Sequence, residues 1–378
     1  MSDRRSCRPV PFLLAVLSAV ALPALTPPAA AEPAVTVLDL PFRATAMRGP
    51  RSEVSVAVAT SGLIPLARPR ASGAAPEAGE EEGAPLVVVW GEGGGAALSL
   101  VEGAIRTTLL GAEAIEGLAA AETPRGALPG SRRALSGATS AHLSGSTRAT
   151  GADAPAAAGL TIRERRPVAM GGEPKPVPVS TVTVPAGPDG AFAPFRPRAL
   201  RLSGRLAFVA ATLGDGDRCG LAVIARAGIG DWAVAARTPP QEGAPMKIAA
   251  VWDFTGAGAL QVATVRGKAG MLQLWTTDAD PMTLAGEAPG YAAGTGDAEL
   301  AAILNEGAGA PDLALPTIDG AALALVSLKG GIRERARIAL PAPAAFGVSA
   351  LGEGRAARLL VGLADGRIAV VAPGGTRP

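Results

Sequence analysis

Short apolar or alternating runs, each bounded by Gly, Pro, Asp or Asn, recur along the chain. Such runs are typical of β-strands separated by turns. Away from the N-terminal segment, no stretch sustains the i, i+3, i+4, i+7 stripe of a long amphipathic helix, and only residues 112–122 suggest a helical turn. The pattern therefore predicts an all-β protein. The clearest runs are LVVVW (86–90), LAFVAAT (206–212), LAVIAR (221–226), LQVATV (260–265), MLQLWTT (271–277), LALVSL (323–328), RLLVGL (358–363) and RIAVVA (367–372).

One phrase recurs five times: a β-rich run, a turn made of Gly with acidic or polar residues, and a second β-rich run. Self-similarity of this kind is typical of repeat folds. Trp90 and Trp252 both end an apolar strand just before the turn, and we expect both to pack between repeats rather than to bind a ligand. The copies lie at 87–101, 208–224, 248–265, 301–316 and 348–363.

The repeats have the length and strand content of β-propeller blades. Residues 248–277 read as strand, turn, strand, turn, strand, and units of about 40–50 residues with three or four strands characterise propellers. We predict seven blades, with eight as the alternative if residues near Gly130 form another. We also expect the strand at 34–40 to complete the last blade beside residues 367–372, which leaves no open edge. The blade markers are Met47, Trp90, Met170, Leu213, Trp252, Leu304 and Leu351.

These segments resemble the FG-GAP and VCBS-type repeats of integrin-like propellers and of bacterial secreted proteins. The family's Gly-x-Gly-x-Pro-Asp-Leu pattern is matched by Gly307, Gly309, Pro311, Asp312 and Leu313. A second match runs through Asp253, Gly256, Gly258 and Val262. The resemblance covers about residues 205–371 and implies a β-propeller. It implies little about activity, because the family serves adhesion, scaffolding and enzyme-accessory roles.

The same resemblance implies calcium sites in the turns. In that family the turn often holds calcium through oxygens at its first, third, fifth and ninth positions, and calcium takes roughly six to eight oxygen ligands. One loop places Asp253, Thr255, Ala257 and Gln261 there, with Gly258 at the sixth position, and another places Leu304, Glu306, Ala308 and Asp312. The implied metal ligands are Asp253, Asp215, Asp217 and Asp312. Gly and Asp also fix hairpins without any ion, and we expect no other cofactor.

The N-terminal residues have the form of a signal peptide. Basic residues precede an apolar stretch at 12–25, and small residues follow at 29–31, so we expect cleavage after Ala31 and a secreted or periplasmic protein. The apolar stretch is too short to span a membrane, and we expect no transmembrane segment after cleavage. Residues 32–378 are then one propeller domain, with low-complexity insertions near 67–85 and 119–158 that lack strand character.

The net charge and the cysteine content exclude some classes of binding partner and some kinds of covalent cross-link. The formal net charge of +2 comes from the leader, so the cleaved chain is formally neutral. Nucleic-acid binding depends on clustered basic residues that neutralise phosphates, and neutrality argues against it. Cys219 remains as a single cysteine after cleavage, which excludes an intramolecular disulfide; we expect it to be a buried small residue. We expect a monomer that binds a protein or a small ligand.

Catalytic residues are scarce. His142 is the only histidine, and we expect it on the surface of a low-complexity stretch rather than in a catalytic triad or a transition-metal site. Glu92, Asp253, Asp312 and Glu353 could converge as an acid pair, but the chain has few aromatic residues for a sugar site. The sequence therefore predicts a non-enzymatic interaction module. The alternatives are an enzyme or enzyme accessory that uses loop carboxylates or calcium at the channel mouth, and a structural envelope protein.

Overall fold

The computed structural model describes residues 34–62, 85–148, 155–165, 177–187, 190–228, 230–305, 307 and 309–373. The predicted signal peptide (1–31) lies outside these residues, as does the predicted insertion at 67–85 apart from Pro85. Met170, Glu306 and Ala308 lie outside them as well.

The described residues form 26 β-strands, two α-helices and one short 3-10 helix. The first third contains β1 (Ala34–Leu38), β2 (Arg43–Arg48), α1 (Glu53–Thr60), β3 (Leu86–Glu92), β4 (Gly94–Val101), β5 (Ala104–Leu110) and α2 (Ala112–Ala121). The middle contains β6 (Ala134–Ser136), β7 (Thr139–Thr147), β8 (Ala156–Arg165), β9 (Val179–Pro185), β10 (Ala191–Phe192), β11 (Arg198–Leu202), β12 (Arg205–Leu213), β13 (Arg218–Arg226), β14 (Trp232–Arg237) and β15 (Gln241–Glu242). The last third contains β16 (Lys247–Trp252), β17 (Gln261–Arg266), β18 (Met271–Thr276), β19 (Thr283–Ala288), β20 (Ala302–Leu304), β21 (Asp312–Pro316), β22 (Ala322–Ser327), β23 (Arg333–Ala339), β24 (Ala344–Leu351), the 3-10 helix Gly354–Ala356, β25 (Arg358–Leu363) and β26 (Ile368–Ala372).

The fold is all-β and antiparallel, as predicted. Four sheets have four strands each, and a fifth sheet has ten. The ten-stranded sheet contains two four-stranded meanders joined by β10, which pairs with both β8 and β12. We call the six four-stranded groups units 1 to 6: β2–β5, β6–β9, β11–β14, β16–β19, β20–β23, and β24–β26 with β1.

The N-terminal strand completes unit 6. β1 pairs antiparallel with β26, and Val35 lies opposite Val371 in the register. The predicted pairing of residues 34–40 with residues 367–372 is confirmed. One sheet therefore contains the first and the last strand of the described chain.

The prediction of seven blades is not confirmed, because the described residues form six units. Two of the seven markers fall in one unit: Met47 lies in β2, directly opposite Val89 of β3, and Trp90 follows Val89. The turn phrase also occupies two structural positions. It joins the first and second strands at Trp252, but the second and third strands at Trp90. Similar turn chemistry at unequal positions therefore gave more markers than the described residues have units.

Each unit buries its strands between neighbours, which explains the apolar runs in the sequence. In β3, Val87 and Val89 pack into a core shared with Leu360 of unit 6. The alternate residues Val88 and Trp90 pack against the two helices. Side chains alternate between the faces of a strand, so a strand covered on both faces is apolar throughout.

The two helices cover the other face of unit 1. The Ser52 hydroxyl caps α1 by accepting a hydrogen bond from the Ser55 N–H at 3.1 Å, and Val54 and Val58 are buried one turn apart. The alternating β-branched sequence of α1 hid this helix, whereas α2 matches the predicted helical turn at 112–122. Within the described residues, no helix has both the length and the apolar character needed to cross a membrane.

Residues 119–158 differ from the predicted insertion. They contain β6, β7 and the start of β8, and apolar side chains such as Ala141 and Leu143 are fully buried there. His142 is buried in β7 instead of exposed. Ala, Ser, Gly and Thr make up much of this segment, and such residues give little strand signal in a sequence.

Candidate functional site

The first strands of all six units surround one cavity of about 560 Å³, which we call the inner cavity. These strands contact one another in the order β6, β11, β16, β20, β24, β2. Small and apolar side chains supply much of the lining, including Ala249, Val251, Ile303, Val348 and Ala350. Ligand pockets commonly measure roughly 300–1,000 Å³, so the inner cavity has the volume of a small-molecule site.

Trp252 lines the inner cavity at the C-terminal end of β16. Its side chain is 39% exposed, whereas Trp90, Trp232 and Trp275 are buried. Trp90 is buried as expected, but it packs against α1 and α2 rather than between repeats. Trp252 does not have the packing role predicted for it. It is the tryptophan available to contact a ligand.

Charged side chains gather at the N-terminal ends of four first strands. Arg132 lies just before β6, Arg196 and Arg198 lie at the start of β11, and Lys247 begins β16. Asp297 and Glu299 precede β20, while Arg48 ends β2 and Glu122 follows α2. We call these eight residues the basic cluster. Arg196, Arg198 and Glu299 also line the inner cavity.

Glu299 is the centre of the basic cluster. Its Oε1 accepts hydrogen bonds from Arg132 at 2.7 Å and from Arg196 at 3.1 Å, and it lies 2.9 Å from Nη1 of Arg198. Burial alone would raise the pKa of Glu299, but the three guanidinium groups outweigh burial and hold this pKa well below its ordinary value. Glu299 is therefore ionised at neutral pH.

Arg48 links the cluster to the helices. Its Nε donates to Glu122 at 2.7 Å and its Nη2 donates to Asp297 at 2.6 Å. The guanidinium also lies 5.2 Å from the ring centroid of Trp90, which is cation–π distance. Burial lowers the pKa of Arg48, but the two carboxylates reverse this and raise it overall.

Arg132 is buried with only part of its guanidinium hydrogen-bonded. Nη2 donates to the Asp297 carbonyl at 2.9 Å and to Glu299. Nε and Nη1 have no hydrogen-bond partner among the described residues; the nearest carboxylate oxygens, of Asp297 and Glu122, are each 3.9 Å away. Burial is the main cause that lowers the pKa of Arg132.

Arg198 repeats this pattern on the other side of Glu299. Its Nε is buried and lacks a hydrogen-bond partner within the described part of the chain. Burial lowers its pKa to about 10 despite the adjacent Glu299 carboxylate. Arg132 and Arg198 both line a second, small cavity of about 30 Å³, together with Arg196, Lys247, Asp297 and Glu299.

Lys247 fixes the loop that carries the two acidic residues before β20. Its Nζ donates to the carbonyl oxygens of Gly294, Gly296 and Ala298 at 3.3, 3.1 and 2.7 Å. Burial lowers the pKa of Lys247 to about 8, although Glu299 and Asp297 act in the opposite direction. Lys247 thus positions this loop, and its amine has a lowered pKa.

The four predicted calcium ligands lie in three separate places. Asp253 follows β16, and its carboxylate accepts hydrogen bonds from the Thr255 hydroxyl and from the backbone N–H groups of residues 255–258. Those bonds outweigh the effect of burial and lower the pKa of Asp253. Asp312 is buried at the start of β21 and pairs with Arg335.

Asp215 and Asp217 lie in the turn between β12 and β13. No three His, Cys, Asp or Glu side chains of the described residues are grouped as a metal site would require. Calcium binding by these aspartates stays a prediction, with Asp253 already serving as an acceptor for its own turn.

Two other residues singled out in the sequence are buried. Cys219 is buried, as predicted, and its thiol donates to the Ala244 carbonyl at 3.2 Å; burial raises its pKa. Burial also lowers the pKa of His142. Of the predicted acid pair candidates, Glu353 lines the inner cavity.

Sequence reasoning missed the basic cluster, although a signal was present. The segments RRALSG (132–137) and RPRALRLSG (196–204) both place arginines directly before a short strand and a Ser-Gly turn. If both segments are taken as starts of equivalent first strands, their arginines are predicted to lie at the same end of the inner cavity.

No family model matches this chain, and no curated protein is significantly similar to it. The resemblance to FG-GAP and VCBS-type repeats therefore depends on the turn residues quoted above.

Proposed function

We propose that this protein is a secreted or periplasmic, non-enzymatic β-propeller that binds a small molecule in its inner cavity. The observation that carries the proposal is the inner cavity itself, which all six units line. Six meanders whose first strands face a common centre are what a six-bladed propeller requires. The Gly-rich turns and the β1–β26 pairing add support to that fold.

The chemistry around the cavity favours binding over catalysis. A general acid works best with a pKa near the operating pH, whereas Glu299 has a pKa well below its ordinary value and contacts three arginines. The amine of Lys247 is hydrogen-bonded to three carbonyl groups. Glu299 is held ionised by its arginines, and the Lys247 amine is occupied by the loop before β20, so these contacts favour recognition of charge over acid–base chemistry.

The described surface favours a small ligand over a protein partner. The exposed large apolar side chains come from different strands, a helix and loops, with one or two from each. Protein interaction sites instead form contiguous apolar patches. These exposed residues are Val37, Val56, Val101, Leu109, Leu135, Val177, Val179, Trp252, Leu284 and Ile318.

A cavity-filling variant tests the proposal. Ala249 lines the inner cavity, so Ala249→Trp should occupy part of it. Ala285 is exposed on β19, and Ala285→Trp provides the matched control. We would screen a library of small polar and amphipathic compounds by thermal melting against the wild type and both variants, after checking that each variant melts cooperatively.

We expect at least one compound to raise the melting temperature of the wild type and of Ala285→Trp, but not of Ala249→Trp. The same compound should change the fluorescence of Trp252, because the other three tryptophans are buried; Trp252→Phe should remove that change. If every compound that binds does so equally in all three proteins, the inner cavity is not the binding site and the proposed function is wrong.

A further inference from the structure

We infer that the basic cluster receives an oxyanion, a carboxylate or phosphate group, carried by the small molecule that the inner cavity binds. The inference rests on the proposed function of that cavity and adds the chemical class of the ligand. It is carried by three observations: the charge balance of the cluster, its unpartnered donors, and its position beside the inner cavity.

The cluster contains more positive than negative charge. Its five cations are Arg48, Arg132, Arg196, Arg198 and Lys247, and its three carboxylates are Glu122, Asp297 and Glu299. Two formal positive charges are therefore uncompensated. Burying charge without a counter-charge is unfavourable, and an anion is the ligand that would offset it, whereas a water molecule would not.

The cluster also holds buried donors without a hydrogen bond. Nε and Nη1 of Arg132 and Nε of Arg198 are buried without hydrogen-bond partners among the described residues, and Arg132 as a whole is 4% exposed. A buried donor left unpaired is costly. A guanidinium group can donate two parallel hydrogen bonds to a carboxylate or to a phosphate, so its geometry matches either anion.

The small cavity provides space for such an anion next to the inner cavity. Arg132 and Arg198 border the small cavity, which has a volume of about 30 Å³. A cavity needs roughly 10–15 Å³ to hold one water molecule. There is thus room for the oxygens of one carboxylate. Arg196, Arg198 and Glu299 border both this cavity and the inner cavity. The charged group would lie among the arginines, and the apolar part of the same molecule would lie against Ala249, Val251 and Val348.

The test compares charged and neutral probes of equal size. Butyrate, inorganic phosphate and butyramide would each be titrated into the wild-type protein by calorimetry at one fixed ionic strength, so that general screening is constant. We expect butyrate or phosphate to bind and butyramide to bind at least tenfold more weakly. Binding of phosphate alone would identify phosphate as the anion, and binding of butyrate alone would identify a carboxylate.

Substitutions of Arg198 test whether the anion binds at the basic cluster. Arg198→Met should weaken anion binding at least tenfold, and Arg198→Lys, which keeps the charge but not the planar donor pair, should weaken it less. Arg226→Met is the control, because Arg226 pairs with Glu164 outside the cluster. Equal affinity for butyrate and butyramide, or anion binding that Arg198→Met and Arg198→Lys leave unchanged, would overturn the inference.

The two proposals fail separately. A neutral compound that Ala249→Trp excludes, with no response to either anion, would leave the proposed function standing and remove the oxyanion. Anion binding that depends on Arg198, together with no compound excluded by Ala249→Trp, would support the oxyanion site and contradict binding in the inner cavity.

Discussion

Nη2 of Arg132 donates a hydrogen bond to Oε1 of Glu299 at 2.7 Å, although the two residues are 167 positions apart in the sequence. Arg132 precedes the first strand of unit 2, and Glu299 precedes the first strand of unit 5. The contact therefore joins two units that are not neighbours along the chain. Glu299 makes the same kind of contact with two arginines of unit 3, so the carboxylate holds three units together.

Replacing Glu299 should destabilise the protein. Glu299→Gln leaves three guanidinium groups facing a neutral amide, and removing one partner of a buried ion pair costs about 3–5 kcal/mol. Because the Glu299 side chain is 28% exposed, we expect the free energy of unfolding in urea to fall by about 3 kcal/mol, the lower end of that range. Glu334→Gln is the control, since its pairing with Arg337 is exposed and should contribute less than about 1 kcal/mol. Equal losses in the two variants would contradict the role of Glu299.

Glu299 should also make stability depend on acidic pH. Its folded pKa lies below its ordinary value, so the unfolded chain binds the proton first as the pH falls. The stabilisation by Glu299 is present above about pH 4.3 and is lost below it. We expect the unfolding free energy of the wild type to fall more steeply from pH 5 to pH 3 than that of Glu299→Gln. Parallel curves for the two proteins would show that another group is responsible.

Lys247 should make stability depend on alkaline pH, with the same direction of slope as Glu299. Its pKa is about 8 in the folded protein and 10.5 ordinarily, so between these values the unfolded state binds more protons and stability rises with pH. The neighbouring charges are Glu299, Asp297, Arg198 and Arg132. One proton contributes at most about 1.4 kcal/mol per pH unit. Urea titrations from pH 7.5 to 9.5 should show this rise in the wild type and in Lys268→Met, an exposed control, but a flatter curve in Lys247→Met.

The turn after β16 should depend on Asp253 more than on calcium. The Asp253 carboxylate accepts hydrogen bonds from residues 255–258, and a typical net hydrogen bond contributes about 1 kcal/mol. Asp253→Ala should therefore lower stability by about 1–2 kcal/mol. We expect neither EDTA nor calcium to move the melting temperature of the wild type. A rise of several degrees with calcium, absent in Asp253→Ala, would instead establish the metal site that the family resemblance implies.

Ser52 should stabilise α1 through its cap. Its hydroxyl accepts from the Ser55 N–H, and loss of such a cap costs about 1 kcal/mol. We expect Ser52→Ala to lower the melting temperature and Ser52→Asp to retain most of the stability. If Ser52→Asp is as unstable as Ser52→Ala, the cap is not the reason for the serine.

The sequence predicted those features that repeat locally. Alternation and Gly-rich turns identified the strands, and the expectation that the ring leaves no open edge identified residues 34–40 as the partner of β26. The predicted count of seven is not confirmed by the described residues, because Met47 and Trp90 carry similar turn signals within one unit. The helix α1 was missed because its β-branched residues alternate as a strand's do, and only its Ser52 cap and the packing of Val54 and Val58 favour the helix.

The basic cluster illustrates a different limit. Arg48, Arg132, Arg198, Lys247 and Glu299 come from five separate segments, and no spacing along the chain relates them. They meet because each lies at an end of a first strand, or just before one, and those strands share one cavity. Such a site follows from how the units are arranged around a centre, which local patterns do not encode.

The pairing of β1 with β26 has a consequence for biosynthesis. β1 is made before any other described strand, and β26 is made after all of them. While the chain is growing, β1 has no partner, and unit 6 cannot be completed from its other three strands. If the protein is exported as its leader predicts, complete folding must wait until both strands are on the same side of the membrane. On that condition, this order would keep the chain incompletely folded while it crosses the membrane, when a stable fold would obstruct passage.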